Sequence, residues 1–137
     1  MKREEIVSKV HRYYWDMDFN CATIMLKILA EVYNIELEQQ ILDSVIGMHG
    51  AGKYRAQCGL VEGMLMFIGI YGRKLNYSEK RIIDLCYNSA AGFEEQFGSL
   101  SCRELRPEGF RADNPPHLCE ELSVDAVNYA MDFIAKF

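Results

Sequence analysis

The sequence predicts an all-α fold, a single-domain bundle of five to six main helices. Apolar residues recur every three or four positions along most of the chain, and no stretch of strand length alternates between apolar and polar residues. Gly, Asn and Ser residues separate the periodic segments, as expected at helix ends. The length of 137 residues suits one domain, and half of the residues are hydrophobic, which is enough to form a core. We therefore expect a single helical domain over residues 1–137.

The first three predicted helices precede a glycine-rich stretch. Residues 3–14 form the first helix, and the second starts at Asn20, a residue type that favours the N-cap position. The third covers residues 35–46. Residues 47–54, GMHGAGKY, then interrupt the periodicity, and their glycines suit a turn with positive φ. Because a plain turn does not need three glycines, we expect this backbone to approach another group closely.

A fourth helix is predicted over residues 57–71, with Gly72 as its stop signal. It carries Gly59 and Gly63 one turn apart, which permits another helix to approach closely. The same glycine face is a candidate surface for a homodimer.

The rest of the chain predicts two long helices and a short one. A fifth helix covers residues 78–97 and ends at Gly98, and a short helical segment lies within residues 99–105. Residues 107–116 are rich in Pro, Gly, Asp and Asn and are interpreted as a linker that is too short to separate domains. The final helix covers residues 116–137.

The stretch GMHGAGKY also matches the phosphate-binding pattern G-x-x-x-x-G-K up to its last residue. A nucleotide site would have Ser or Thr where this chain has Tyr54. The pattern also requires a preceding β-strand, whereas the residues before Gly47 indicate a helix. Nucleotide binding is therefore not expected, and Lys53 is interpreted as incidental to the match.

Composition and charge argue against several classes of partner. The net charge of −5 disfavours nucleic acids and anionic membrane surfaces, which require concentrated Lys and Arg. The N-terminal segment is charged and lacks the apolar run of a secretion signal, and the longest apolar stretch is too short to cross a bilayer. These features predict a soluble cytoplasmic protein. Its five cysteines cannot all pair with one another, and in a reducing compartment they indicate redox, metal-binding or core roles.

Four cysteines share a predicted position at a helix start: Cys21, Cys58, Cys102 and Cys119. Unpaired N–H groups at a helix N-terminus stabilise a thiolate and lower the pKa of the thiol, and thiolates are both nucleophiles and metal ligands. The alternative is that each is a small buried hydrophobe. Cys86 falls in mid-helix on an apolar stripe and is predicted to be a core residue. No C-x-x-C pattern indicates a thioredoxin-like site or a zinc ribbon.

Other candidate site residues are histidines and one carboxylate. His49 in the glycine-rich stretch and His117 before the final helix are candidate ligands, with a solvated loop side chain as the alternative for each. His11 is expected on a helix surface. Glu62 lies one turn after Cys58 and is a candidate proton acceptor, with an exposed helix position as the alternative. A nearby carboxylate would also oppose thiolate formation.

The order of these motifs resembles a known family, the C_GCAxxG_C_C family of redox-active proteins, which is named for its cysteine signature. The motifs are Asn20-Cys21-Ala22, the glycine-rich stretch, Cys58-Gly59 with Gly63, Phe97-Gly98, Cys102-Arg103-Glu104-Leu105 and Cys119. The resemblance runs from Phe19 to the final helix and implies that the four cysteines named above are the signature cysteines. The chain departs from the family pattern at Leu60, where a small residue is expected, and at Glu62, which adds a charge.

The first functional hypothesis is a thiol-dependent oxidoreductase that exchanges thiols and disulfides with an unknown redox partner. The signature cysteines would cycle between thiolate and disulfide, and no cofactor is needed. Cys58 would attack, with Cys21 or Cys102 as its partner.

Two other hypotheses remain open. The signature cysteines would bind Zn²⁺ or an iron–sulfur cluster for electron transfer, and His49 or His117 would replace one ligand. Alternatively, the chain is a helical interaction module whose cysteines are incidental. Replacing all four signature cysteines with Ser would leave the activity of such a module intact.

Overall fold

The computed structural model describes residues 1–106 and 109–137, and it is all-α over these ranges, as predicted. The described residues form eight helices, of which five have 12 to 19 residues and three have only 4 to 6. The predicted count of five to six main helices differs slightly, because α3 and α7 are shorter than the segments predicted there and α4 lies in the stretch that was predicted as a turn. In chain order the helices are α1 (Arg3–Trp15), α2 (Cys21–Val32), α3 (Gln39–Ser44), α4 (Gly50–Lys53), α5 (Gly59–Lys74), α6 (Glu79–Phe97), α7 (Cys102–Leu105) and α8 (Glu120–Ile134).

Several helix ends follow the predicted capping signals. The Asn20 side chain caps α2 by accepting a hydrogen bond of 2.8 Å from the Thr23 N–H. Ser78 caps α6 in the same way by accepting from the Arg81 N–H at 3.1 Å. Gly98 ends α6 with a left-handed φ of +93°.

The third predicted helix is shorter than expected. Asn34 adopts a left-handed φ of +56°, and the Ile35 N–H donates to the Ala30 carbonyl at 2.8 Å, which closes the end of α2. The chain then runs without helical structure until Gln39. The final helix is also shorter than residues 116–137. The start of the predicted linker, residues 107 and 108, lies outside the described residues.

Gly72 does not stop α5 as predicted, because the helix continues to Lys74. Gly72 instead provides space for α6. A Cβ at this position would lie 2.7 Å from the Ile82 side chain.

The most extensive contact between helices joins α2 and α5. Gly63 permits this contact, because a Cβ there would overlap the Ala22 carbonyl oxygen and lie 3.0 Å from the Met25 Cβ. One turn earlier, a Cβ at Gly59 would overlap the Cys21 sulfur. The predicted close approach is confirmed, but the suggested homodimer surface on this face is wrong, since α2 of the same chain covers it.

The core surrounds α2, in which eight of twelve residues are buried. Helices α1, α5 and α8 pack around it, and α6 lies against α5 and α8 with Ser89 and Phe93 buried. No helix in the two described ranges combines the length and the apolar character needed to cross a membrane. The ends of these helices, rather than their packed faces, form the candidate site.

Candidate functional site: a cysteine-lined cavity

A cavity of about 710 Å³ lies between the start of α2, the glycine-rich stretch, α7 and the segment before α8. Three of the four signature cysteines, Cys21, Cys102 and Cys119, line it. Both candidate histidines, His49 and His117, line it as well. The volume falls within the range of small-molecule sites, roughly 300–1,000 Å³.

The signature cysteines all lie at helix starts. Cys21 and Cys102 are the first residues of α2 and α7, and Cys58 and Cys119 immediately precede α5 and α8. Cys86 lies within α6, partly buried and packed against the core, as predicted. It is not among the residues that line the cavity.

Two backbone hydrogen bonds join the segments that carry Cys58 and Cys102. The Cys58 N–H donates to the Leu100 carbonyl at 2.7 Å, and the Cys102 N–H donates to the Ala56 carbonyl at 2.6 Å. Gln57 and Ser101, which lie between these bonded residues, form an isolated antiparallel β-bridge. These bonds hold the starts of α5 and α7 side by side. No local sequence signal predicted this bridge, because it joins segments separated by two helices.

The glycine-rich stretch contains α4, whose four residues all have left-handed φ values and therefore form a left-handed turn rather than a regular α-helix. Left-handed backbone costs roughly 1–2 kcal/mol per non-glycine residue. This cost explains why glycines are found in the turn, but it does not explain why their non-glycine neighbours adopt the same backbone conformation. Hydrogen bonds from the Lys53 N–H to the His49 carbonyl (3.0 Å) and from the Arg55 N–H to the Gly50 carbonyl (2.8 Å) close the turn. The φ values are +64° at Gly50, +56° at Ala51, +64° at Gly52, +67° at Lys53 and +72° at Arg55.

This turn brings backbone close to a signature cysteine. A Cβ at Gly50 would lie 3.2 Å from the Cys102 sulfur, so the expected close approach is confirmed. The turn also places Lys53 and Arg55 in the lining of the cavity. Lys53, which was interpreted as incidental to the phosphate-binding match, therefore lies in the candidate site.

Burial raises the pKa of every signature thiol, contrary to the expected lowering at helix N-termini. The pKa of Cys58 rises to about 11, because lost hydration outweighs the backbone hydrogen bonds from Leu60 and Val61 that favour the thiolate. The pKa of Cys21 rises further. Desolvation is its main cause, and negative charge at the other three signature cysteines adds to it.

Cys102 has the most cationic surroundings of the four. Desolvation raises its pKa, while the guanidinium groups of Arg106, Arg55 and Arg103 oppose this rise. For Cys119, only Arg106 opposes desolvation. Cys102 is also partly exposed and lines the cavity, so it combines access with nearby positive charge.

Two of these guanidinium groups lie against one aromatic ring. The Arg55 guanidinium lies 3.9 Å from the centre of the Phe110 ring, and that of Arg106 lies 4.5 Å from it. The Arg106 Nε also donates to the Gly109 carbonyl at 3.0 Å. Arg55, Arg106 and Phe110 all line the cavity.

The histidines have distinct surroundings. The buried Nδ1 of His49 makes no hydrogen bond to any described residue, and burial together with Lys53 lowers the pKa of this imidazole. The His117 Nε2 lies 3.9 Å from a carboxylate oxygen of Asp18. His11 lies on the surface of α1, as expected, with its Nδ1 2.9 Å from a carboxylate oxygen of Glu120.

Glu62 bonds to the Gln57 side chain and does not line the cavity. Over residues 1–106 and 109–137, no group of three or more His, Cys, Asp or Glu side chains has a geometry that could hold a metal ion. All five cysteines are free thiols. The described residues thus lack the preformed ligand set that the metal hypothesis predicts.

Comparison with known proteins identifies one family. Its model, described as "Putative redox-active protein (C_GCAxxG_C_C)", matches residues 19–133, a range that contains all four signature cysteines. No curated protein and no solved structure matches the chain significantly. The family match covers most of the chain and agrees with the resemblance noted in its motifs. The chain therefore belongs to the C_GCAxxG_C_C family.

Proposed function

We propose that this protein is a thiol-dependent oxidoreductase that reduces small disulfides through its signature cysteines. The lining of one cavity by Cys21, Cys102 and Cys119 carries this proposal. The cavity has the volume of a small-molecule site, so a disulfide can reach the thiols without unfolding the core. Free thiols also suit the reducing cytoplasm that we expect for this chain.

Cys102 is the attacking thiol in this proposal, in place of Cys58. Cys58 is only 6 % exposed, and burial raises its pKa to about 11, so it is rarely a thiolate at neutral pH. Cys102 lines the cavity and has three guanidinium groups nearby that favour its thiolate. Cys58 acts second, because backbone hydrogen bonds hold its segment beside that of Cys102.

The reaction proceeds by two exchanges. The Cys102 thiolate attacks one sulfur of the substrate disulfide, the substrate S–S bond breaks, and the departing thiolate takes a proton from water. The Cys58 thiol then loses its proton and attacks the Cys102 sulfur, which releases the second half of the substrate as a thiol. The substrate gains two electrons and two protons, and the protein loses the same. No two cysteines lie at disulfide distance, so this closure requires the α7 segment to shift.

Mixed-disulfide trapping tests the proposal. The reduced protein is mixed with a small disulfide, and the products are identified by mass spectrometry. Cys58→Ser should accumulate a mixed disulfide at Cys102, and Cys102→Ser should lose the reaction. Cys86→Ser is the matched control, since Cys86 does not line the cavity, and it should react as the unchanged protein does. Equal and slow alkylation of all four signature thiols would contradict the proposal.

Anaerobic purification separates this proposal from the metal hypothesis. A UV–visible spectrum with metal and sulfide analysis should show neither zinc nor an iron–sulfur cluster in stoichiometric amount. A metal held by the signature thiols would occupy the groups that the exchange needs, and it would overturn the proposed function.

A further inference from the structure

We propose that the cavity selects small disulfides that carry carboxylate groups. This inference rests on the proposed thiol exchange and adds the class of its substrate. The protein has a net charge of −5, yet the described residues that line the cavity include three cations, Lys53, Arg55 and Arg106, and one carboxylate, Asp18. A cleft lined mainly by one sign of charge concentrates ligands of the opposite sign.

The negative charge in the lining lies on an exposed side chain. The Asp18 side chain is 91 % exposed, and one of its carboxylate oxygens lies 3.9 Å from the His117 Nε2. None of the three lining cations forms an ion pair with a carboxylate of the described residues. Among the described residues, no carboxylate therefore neutralises these cations.

The two guanidinium groups are oriented before a ligand arrives. Arg55 and Arg106 both lie against the Phe110 ring, which restricts the rotamers of these long side chains. A guanidinium presents a planar pair of donors that matches a carboxylate, whereas an ammonium acts as a point charge. Restricting the guanidinium groups lowers the entropy lost when a carboxylate binds.

The left-handed backbone at Lys53 and Arg55 also supports a binding site for carboxylate groups. Lys53 and Arg55 both have left-handed φ values, at +67° and +72°, although neither is glycine. Such strain persists only where the surrounding structure imposes it, and it concentrates at functional sites. Here the strained residues are two of the three cations that line the cavity.

The same cations lie beside the reacting sulfur. Arg55 and Arg106 both favour the thiolate form of Cys102, so a carboxylate bound to them is held near the attacking group. The exchange itself is unchanged: the Cys102–substrate S–S bond forms, the substrate S–S bond breaks, and the departing thiolate is protonated by water. The guanidinium groups also stabilise the negative charge of that departing thiolate.

Paired disulfide probes test this inference. We would compare 5,5′-dithiobis(2-nitrobenzoate), which carries two carboxylates, with the neutral 2,2′-dithiodipyridine by stopped-flow absorbance. Each rate constant is divided by that for free cysteine to remove the intrinsic reactivity of the probe. The normalised preference for the anionic probe should be roughly tenfold or more, and it should fall as ionic strength rises. Arg55→Gln with Arg106→Gln should remove the preference, and Arg55→Lys with Arg106→Lys should restore part of it.

Arg81→Gln is the matched control. The Arg81 guanidinium also lies over an aromatic ring, 3.6 Å from the centre of Tyr77, but Arg81 does not line the cavity. This variant should keep the full preference for the anionic probe. Circular dichroism checks that each variant keeps its helical content. Equal normalised rates for the two probes would overturn the inference and leave the thiol exchange standing.

A binding measurement separates the two proposals. Isophthalate carries two carboxylates and no sulfur, so its binding does not depend on any thiol reaction. Calorimetry should detect isophthalate binding to the Cys102→Ser protein, and the two Arg→Gln changes should weaken this binding roughly tenfold or more. Isophthalate binding with no disulfide reaction would overturn the proposed function alone. Absence of isophthalate binding would overturn the inference about carboxylates.

Discussion

At the scale of single residues, the signature thiols show how burial and hydrogen bonding compete. Cys58 receives backbone hydrogen bonds that favour its thiolate, yet its pKa rises to about 11 because the side chain is 6 % exposed. A thiol held neutral in this way is a poor nucleophile and a poor metal ligand. Cys102 is partly exposed, and the positive charge of three arginines, rather than hydrogen bonds, opposes the effect of burial on its pKa.

The raised pKa of Cys58 predicts a loss of stability at alkaline pH. The folded protein holds this proton up to a pKa of about 11, whereas the ordinary pKa of a cysteine thiol is 9.0. The contribution of Cys58 is therefore complete below pH 9 and is lost as the pH rises through 11. Between these values the free energy of unfolding should fall by up to about 1.4 kcal/mol per pH unit for one such thiol. Urea unfolding at several pH values measures this slope, and Cys58→Ala should have a shallower slope if the assignment is correct.

The buried hydroxyl of Tyr14 supports the segment that carries Cys119. Tyr14 and Ser123 are linked by a hydrogen bond of 2.6 Å, and Ser123 donates to the Cys119 carbonyl at 2.8 Å. Tyr14→Phe should lower the free energy of unfolding by about 1 kcal/mol, because Ser123 loses a partner in a buried site. Tyr87 is 74 % exposed, so Tyr87→Phe is a control with no expected change in urea unfolding. Equal effects of the two substitutions would contradict this account.

At the scale of the helices, the glycines of α5 have different roles. A Cβ at Gly63 would overlap the Ala22 carbonyl oxygen, whereas a Cβ at Gly69 would meet no atom within 4 Å. Gly63→Ala should therefore destabilise the protein by about 2 kcal/mol, as overpacking forces α2 and α5 apart. Gly69→Ala should be neutral or stabilise by up to about 1 kcal/mol through helix propensity. Thermal unfolding of both variants tests this, and a neutral Gly63→Ala would rule out the tight contact.

The helices with clear periodicity and caps were predictable from the sequence, and the cavity was not. Asn20, Ser78 and Gly98 are local signals, because each acts on backbone groups within four residues of itself. The bridge beside Cys58 joins chain segments that are distant in sequence, so no local pattern encodes it.

The direction of the thiol pKa shifts was also missed, for a related reason. The sequence places Cys21 at a helix start, but it does not show that α5 covers the sulfur at Gly59. Glycines predicted a turn with positive φ, yet the left-handed φ values of Ala51, Lys53 and Arg55 have no sequence signature. These positions depend on tertiary contacts, which a local pattern does not record.

At the scale of the whole molecule, the cavity is assembled from four distant parts of the chain. Its lining includes residues from the start of α2, the glycine-rich stretch, α7 and the segment before α8. The packed helices therefore form a stable frame, and the site is built from the segments at their ends. We expect that movement of one such segment would alter the cavity without disturbing the core around α2.

Hydrogen exchange should distinguish the packed helices from the segments at their ends that form the site. The amides of Cys58 and Cys102 donate to carbonyls across the bridge, so they should exchange slowly in the reduced protein. Oxidation of the two thiols should speed the exchange of the Cys102 amide, because disulfide formation requires the α7 segment to shift. The amide of Leu26, in the buried part of α2, should keep its protection. Unchanged protection at Cys102 after oxidation would contradict the proposed movement.

The contact between α2 and α5 has a consequence for how the protein is synthesised. Both helices are complete once the chain has reached Lys74, so they can pack before α7 and α8 have left the ribosome. Cys21 lies against Gly59 in this contact, and Cys58 directly precedes it. We expect the nascent chain to bury the Cys21 sulfur against Gly59 before the last two signature cysteines emerge.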